Sequence, residues 1–345
     1  MKFVIMLAGV AAALVLMYRP GRITDRKPAW WRWLVITSVI VTCLLGILPP
    51  LAGSITDVVV QHRADSLKTV PALIQVDPSA MTAVDARDTR VHIQLTMSPD
   101  VQSFIKTIGA EKPVIAHLRR LESDRSYELV KVSSVDPLMT MPYIVGLEER
   151  ARILFFHVPM SWCALIAYCI AMIAAVRYVR TRSIDHDEMS VAAASVGTLF
   201  TVLATTTGAV WAKFNWGTFW NWDPRQTSIL LLLLIYGAYF LLRASIDEEE
   251  RRARLSAVYA IIAFATVPFL MFVLPRLLPG LHPGSADDSN IGPLLSPRSD
   301  AINPVKNAVF GLALFSFTMV FAWLVNIRVR IARLERTTLD LSKEP

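Results

Sequence analysis

Residues 211–226 read Trp211-Ala212-Lys213-Phe214-Asn215-Trp216-Gly217-Thr218-Phe219-Trp220-Asn221-Trp222-Asp223-Pro224-Arg225-Gln226 and lie between two long apolar runs. Trp211, Trp216, Trp220 and Trp222 fall within 12 residues of a 345-residue chain that holds nine Trp, so an even spread does not account for them. Two readings are open. The indoles form an interfacial belt, rings in the apolar layer and N–H groups in water, as Trp30, Trp31 and Trp33 do in our reading. Alternatively they form a platform of ring faces for a flat, apolar, external ligand. On either reading this is a short aromatic loop at a membrane surface, and the runs beside it are spans.

The composition agrees. With 54% apolar residues and a mean hydropathy of +0.46, the chain is far from a soluble globular protein, and its apolar residues come in bilayer-length blocks. Spans are expected near 3–18, 33–52, 153–176, 190–210, 226–243, 256–275 and 306–327. The expected fold is therefore an all-α polytopic membrane protein of about seven helices, with a small, mostly β external domain inserted between the second and third.

The net charge of +7 does not point to nucleic acid, because the basic residues sit in short loops. Arg19, Arg22, Arg26, Lys27 and Arg32 follow the first span, and Arg177, Arg180 and Arg182 the third. Arg243, Arg251, Arg252 and Arg254 follow the fifth, and Arg328, Arg330, Arg333 and Arg336 the seventh. By the positive-inside rule these loops are cytoplasmic, which puts the Trp loop and residues 53–152 and 276–305 outside. The first run carries Lys2 but no small-residue cleavage site follows it, so it reads as an uncleaved span. Cys43, Cys163 and Cys169 all lie in expected spans and there is no Cys-x-x-Cys-His, so neither a disulfide framework nor covalent heme attachment is implied.

In chain order, residues 1–32 are an extra helix with a basic loop, 33–53 a core span, 54–149 the inserted domain, 150–327 the core membrane domain and 328–345 a basic helical tail. Within 54–149, Arg90–Met97 alternates as a half-buried strand does. Residues 113–118 and 126–132 also read as strands and 100–108 as a short helix, with turns at Asp77-Pro78-Ser79 and Ser98-Pro99-Asp100. His62, His92 and His117, in this domain, read as solvated or structural side chains.

After the Trp loop, Asp223-Pro224-Arg225-Gln226 is a helix start: Asp223 as N-cap, proline at the first helical position, Gln226 three after the cap. Arg225 then sits in the first turn on the outside, where it can meet an anion. Only His157 and His282 lie beside span ends on the outer side, where the Trp loop also lies. Neutral imidazole is a good axial ligand for heme iron, and two imidazoles on opposite faces of a macrocycle must come from different elements, as these do. Four indoles suit the porphyrin's apolar faces, and Arg150, Arg152, Arg225 and Arg276 its carboxylates. A zinc site is less apt, since two His without Cys or acidic partners make a poor tetrahedral set.

Trp216-Gly217-Thr218-Phe219-Trp220-Asn221-Trp222-Asp223 resembles the W-G-x-x-W-x-W-D signature of the heme-handling membrane proteins of cytochrome c maturation. Residues 152–159 with Trp162, and Leu281-His282-Pro283-Gly284-Ser285, look like the flanking His segments of the CcmC type. The similarity covers roughly 33–52 and 146–329. It implies a six-span core in the bacterial inner membrane that holds non-covalent b-type heme at its periplasmic face, with His157 and His282 as axial ligands. Trp216, Trp220, Trp222 and Asp223 then belong to the platform. The resemblance also implies work beside the ABC-type complex CcmA/CcmB, delivery of heme to the chaperone CcmE, and no enzymatic turnover. The extra first span is similar to the small single-span partner CcmD. Two other classes fit the sequence less well. A membrane sensor signalling through 54–149 lacks an obvious cytoplasmic output. A transporter or enzyme built on Asp223 and Arg225 conflicts with spans nearly free of ionisable residues.

Overall fold

The computed structural model describes residues 2–19, 22–47, 55, 69–86, 90–110, 112–121, 126–137, 152–282, 284–286 and 304–341. His62 and Arg150 lie outside these, as do Pro283 and residues 287–303 of the loop expected at 276–305. The chain divides into two compact units, Cys43–Arg152 and a second made of Met1–Thr42 with Ile153–Pro345.

The helical unit contains α1 (Lys2–Tyr18), most of α2 (Ala29–Ile47), α4 (Ile153–Thr181), α5 (Ile184–Trp216), α6 (Pro224–Ala244), α7 (Glu249–Pro268), a π-helical turn at Phe269–Val273, α8 (Leu274–Leu277) and α9 (Pro304–Leu341). Among the described residues six helical stretches are long and apolar enough to cross a membrane, and the molecule is a multi-pass membrane protein. The apolar part of α1, Leu7–Tyr18, is shorter than that. The helix is nonetheless packed closely: Gly9 lies against Gly311 of α9, where a Cβ would sit 2.6 Å from a carbonyl oxygen. Its C-terminal carbonyls are satisfied by Lys27, whose ammonium donates to Met17 O at 2.9 Å, and by the Trp31 indole, which donates to Leu16 O at 2.9 Å.

Small residues bring α4 and α5 together. Ala164, Ala167, Ala171 and Ala175 on α4 meet Ala193 and Ala194 on α5 in one buried cluster, with Gly197 of α5 against Ala167, the close approach expected where hydrocarbon surrounds the helices. At the end of the bundle away from the Trp loop, Arg243 grips Asp187 through two bonds of 2.7 and 2.8 Å. There α9 runs past its apolar part, and Arg333 and Arg336 bind Asp185 at 2.9 and 2.8 Å. Helices thus outrun the apolar blocks, since paired charges continue them.

The other unit is a closed five-stranded barrel: β1 (Val70–Asp77), β2 (Thr82–Asp85), β3 (His92–Met97), β4 (Pro113–Arg120) and β5 (Ser126–Val135), in the order β1-β2-β3-β5-β4. All neighbours are antiparallel except β3 and β5. A helix, α3 (Pro99–Ile108), joins β3 to β4 and buries Ile105. This is the topology of small OB-type barrels. On β3, Ile93 and Leu95 point inward while His92, Gln94 and Thr96 are exposed. Ser98-Pro99-Asp100, expected as a turn, is a helix start: Ser98 Oγ accepts from the Val101 amide at 3.4 Å, with proline in the first turn. Strands β1 and β2 were not anticipated.

Candidate functional site

The Trp loop begins where α5 ends. Gly217 closes that helix in the left-handed conformation (φ 84°), the C-terminal position that favours glycine. Asp223 opens α6 as its N-cap, its Oδ1 accepting from the Arg225 amide at 2.9 Å. Gln226 does not complete a capping box. It reaches back further, accepting from the Asn221 amide at 2.8 Å and donating to Phe219 O at 3.3 Å, which ties the loop to the first turn of α6.

His157 is the fifth residue of α4 and half-buried against α5. Its Nδ1 lies 2.8 Å from Ala204 O and 3.3 Å from the Thr207 hydroxyl. Gly208 makes room for the ring: a Cβ there would lie 2.8 Å from His157 Cε1. His282 lies on the turn after α8. Its Nδ1 lies 2.8 Å from Asp223 Oδ1, and the Leu281 amide donates to Asp223 Oδ2 at 2.7 Å. Gly280 permits this, since a Cβ would meet Asp223 Oδ2 at 2.9 Å and Pro224 Cδ at 3.0 Å. Asp223 therefore caps α6 and anchors His282 with one carboxylate, itself only 4% exposed.

Electrostatics follow from those contacts. Burial alone would push the Asp223 carboxyl up. The His282 imidazole, then the Arg225 and Leu281 amides, outweigh that and hold it at about 2. It is ionised throughout the physiological range.

The hydrogen-bond partners also fix both tautomers. A carbonyl and an ionised carboxylate can only accept, so Nδ1 carries a proton in each ring, and in the neutral imidazole Nε2 is the nitrogen that presents its lone pair. Nε2 of neither ring bonds to a described residue.

The two rings address one stripe of α5. His157 touches Ala204, Thr207 and Gly208, whereas His282 lies against Trp211, ring centroids 6.2 Å apart, and against Trp216 at 4.7 Å. Residues 204, 207/208 and 211 follow helical spacing on one face, each about 5 Å beyond the last. His282 and Arg225 both lie within electrostatic reach of His157.

The four indoles are divided. Trp211 and Trp216 pack edge-to-face at 5.3 Å beside His282. Trp220 and Trp222 pair with each other at 5.8 Å, and Trp222 is 70% exposed with a left-handed backbone (φ 54°), an uncommon and strained state for an aromatic residue. Arg225 and Arg276 lie within electrostatic reach of one another. Sequence reasoning missed Ala204, Gly208 and Gly280, which act through backbone or through the lack of a side chain, and the contact of the Thr207 hydroxyl with His157. Only their small size hinted at close packing.

No group of three or more His, Cys, Asp or Glu suited to holding a metal ion occurs among the described residues. The donor set is two imidazoles, that of His282 backed by Trp211 and Trp216, which suits the iron of a planar macrocycle and not a tetrahedral cation. Fold and site together define a multi-pass helical membrane protein that presents two tautomer-fixed imidazoles beside an aromatic loop at one end of its bundle.

A model of the CcmC family, heme exporter protein C, matches residues 116–342, and the chain belongs to that family. The match starts within β4, so the first helices and most of the barrel strands fall outside it. Heme exporter protein C of Bradyrhizobium diazoefficiens is 36% identical over 121 residues, 35% of this chain and 46% of that protein. A putative cytochrome c biosynthesis ccmC-like mitochondrial protein of Marchantia polymorpha is 34% identical over 124 residues, 36% of this chain and 52% of that one. With heme exporter protein C of Escherichia coli K12 the identity is 30% over 179 residues, 51% of this chain and 69% of the relative. The chain thus spans about half the length of the first two relatives.

Proposed function

We propose that this protein handles heme for c-type cytochrome biogenesis: it binds heme non-covalently at the periplasmic face of the bacterial inner membrane and delivers it to the chaperone CcmE, without turning over a substrate. His157 and His282 ligate the iron through Nε2. Trp211, Trp216, Trp220 and Trp222 cover the porphyrin faces, Arg225 meets a carboxylate, and Asp223 orients His282. The partners are the ABC-type complex CcmA/CcmB and the small membrane protein CcmD, and α1 serves as a seventh crossing. Heme is cargo in this scheme, and the chain's task is to hold and present it.

One observation carries the reading: two imidazoles, each with Nδ1 committed to an acceptor, meet successive turns of one helix face beside the tryptophan loop. Bonds of this kind orient a histidine ligand and raise its basicity. The test is an absorption spectrum of the detergent-purified protein beside His157→Ala and His282→Ala. Wild type is expected to show a Soret band with the low-spin pattern of bis-imidazole iron, and each variant to lose that pattern. A wild-type protein without a Soret band in a heme-replete host, or variants with unchanged spectra, would sink the reading.

A further inference from the structure

We infer that the two imidazoles hold heme unequally, with His282 the retained ligand and His157 the exchangeable one, so that an acceptor's donor group enters on the His157 side. This rests on the bis-imidazole reading above and goes beyond it.

The grounds are the two anchors. His282 Nδ1–H points at a carboxylate, and that carboxylate is immobilised by the Leu281 amide at 2.7 Å and the Arg225 amide at 2.9 Å. The ring is backed by Trp211 and Trp216 as well. His157 Nδ1–H points at a neutral carbonyl, Ala204 O, which it shares with the Thr207 hydroxyl at 3.1 Å. An N–H bonded to an anion gives its ring partial imidazolate character and makes the opposite nitrogen the stronger donor to a metal; a shared neutral acceptor does this less. Of two bonds to one iron, the weaker breaks first. The exchange breaks the iron–Nε2 bond of His157 and forms one to the incoming donor, with no electron transferred and no proton required. The chain keeps hold of its cargo through His282 until the acceptor is engaged.

The experiment loads hemin into the full-length protein in detergent and follows its loss to excess apomyoglobin. Removing the retained ligand is expected to hurt more: loss from His282→Ala runs about tenfold or more faster than from His157→Ala, the scale of second-shell effects on metal affinity. Asp223→Asn keeps an acceptor but removes the charge, and is expected to speed loss from otherwise wild-type protein. Equal rates in the two alanine variants, or the reverse order, overturn the inference. If neither alanine variant alters the Soret band of the loaded protein, the bis-imidazole reading fails instead, which keeps the two failures apart.

A second measurement avoids the histidine substitutions. In reduced wild-type protein carbon monoxide takes the exchangeable position. After photolysis the remaining iron–imidazole stretch is expected at the high frequency of a carboxylate-bonded ring, and to fall in Asp223→Asn. The same frequency in both proteins overturns the inference.

Discussion

The barrel core is filled by large side chains on alternate positions, with Ile74, Val76, Ile93, Leu95, Leu118 and Leu129 all buried. The seam between α4 and α5 is built from small ones, down to Gly197, where a Cβ would lie 2.8 Å from Ala167 Cβ and 3.2 Å from the Tyr168 ring. Water drives the first arrangement, because each aliphatic group removed from it contributes. Within a bilayer burial of apolar surface gives helices little reason to associate, and backbones must approach closely enough for dispersion and polar contacts to hold them. The barrel is therefore most sensitive to atoms taken away, and the bundle to atoms added. The site inherits the second property, since Gly208 and Gly280 each leave the space that an anchored histidine requires.

Deletion in the barrel should have the largest effect. Leu118→Ala, at a fully buried position, is expected to lower the opening free energy of barrel amides by roughly 2–5 kcal/mol. Hydrogen exchange of the full-length protein in detergent reads this at the amides of residues 114–120. A loss below 1 kcal/mol would mean that the barrel collapses around the cavity and would weaken the contrast. Addition in the bundle comes next. Gly197→Val should destabilise the helical unit by roughly 1–3 kcal/mol through overpacking, seen as a lower midpoint of thermal unfolding. Gly237→Val is the control, because nothing lies within 4 Å of a Cβ there. Equal shifts in the two variants would break the comparison.

The same contrast explains how much was legible from sequence. Alternation exposed β3, and the helix start at Asp223 was legible because its cap is local: donor and acceptor lie two residues apart. Strands β1 and β2 were not anticipated. The first carries Pro71 and three consecutive buried residues, Ala72, Leu73 and Ile74, which breaks the period of two; the second, Thr82-Ala83-Val84-Asp85, alternates in burial but is only four residues long and turns an aspartate inward. Ser98-Pro99-Asp100 was misread because the same residues open turns and helices, and only the amphipathic run behind them decides. At the site, the tryptophan spacing and the two histidines drew notice as residue types. The second task of Asp223 did not, because His282 lies 59 residues further on. Nor could the sequence divide the tryptophans, since Trp211 and Trp216 turn to His282 only through the path taken after α8.

Two aspartates sharpen the comparison at its smallest scale. Asp77, the last residue of β1, accepts from the Ser79 hydroxyl at 2.6 Å, the Ser79 amide at 2.9 Å and the Ala80 amide at 3.2 Å in the turn that follows, and the Ser79 hydroxyl, then these amides, hold it below the usual carboxyl value of 3.8. Asp223 is buried and binds a remote loop, and it is held at about 2. Both are depressed carboxyls, so the stability they contribute is complete above 3.8 and is lost as pH falls through the folded value. On acidification the two tethers should release in different ways. Protonating Asp77 loosens only its own turn, read as a local change in the Ser79 amide resonance. Protonating Asp223, between pH 4 and about 2, frees Leu281 and His282 together, read as lost protection of the Leu281 amide and a change in Trp211 and Trp216 fluorescence. Asp223→Asn should abolish that acid transition and leave the Asp77 transition in place. If the tryptophan signal still titrates in this variant, the carboxylate is not what holds the His282 loop against α6.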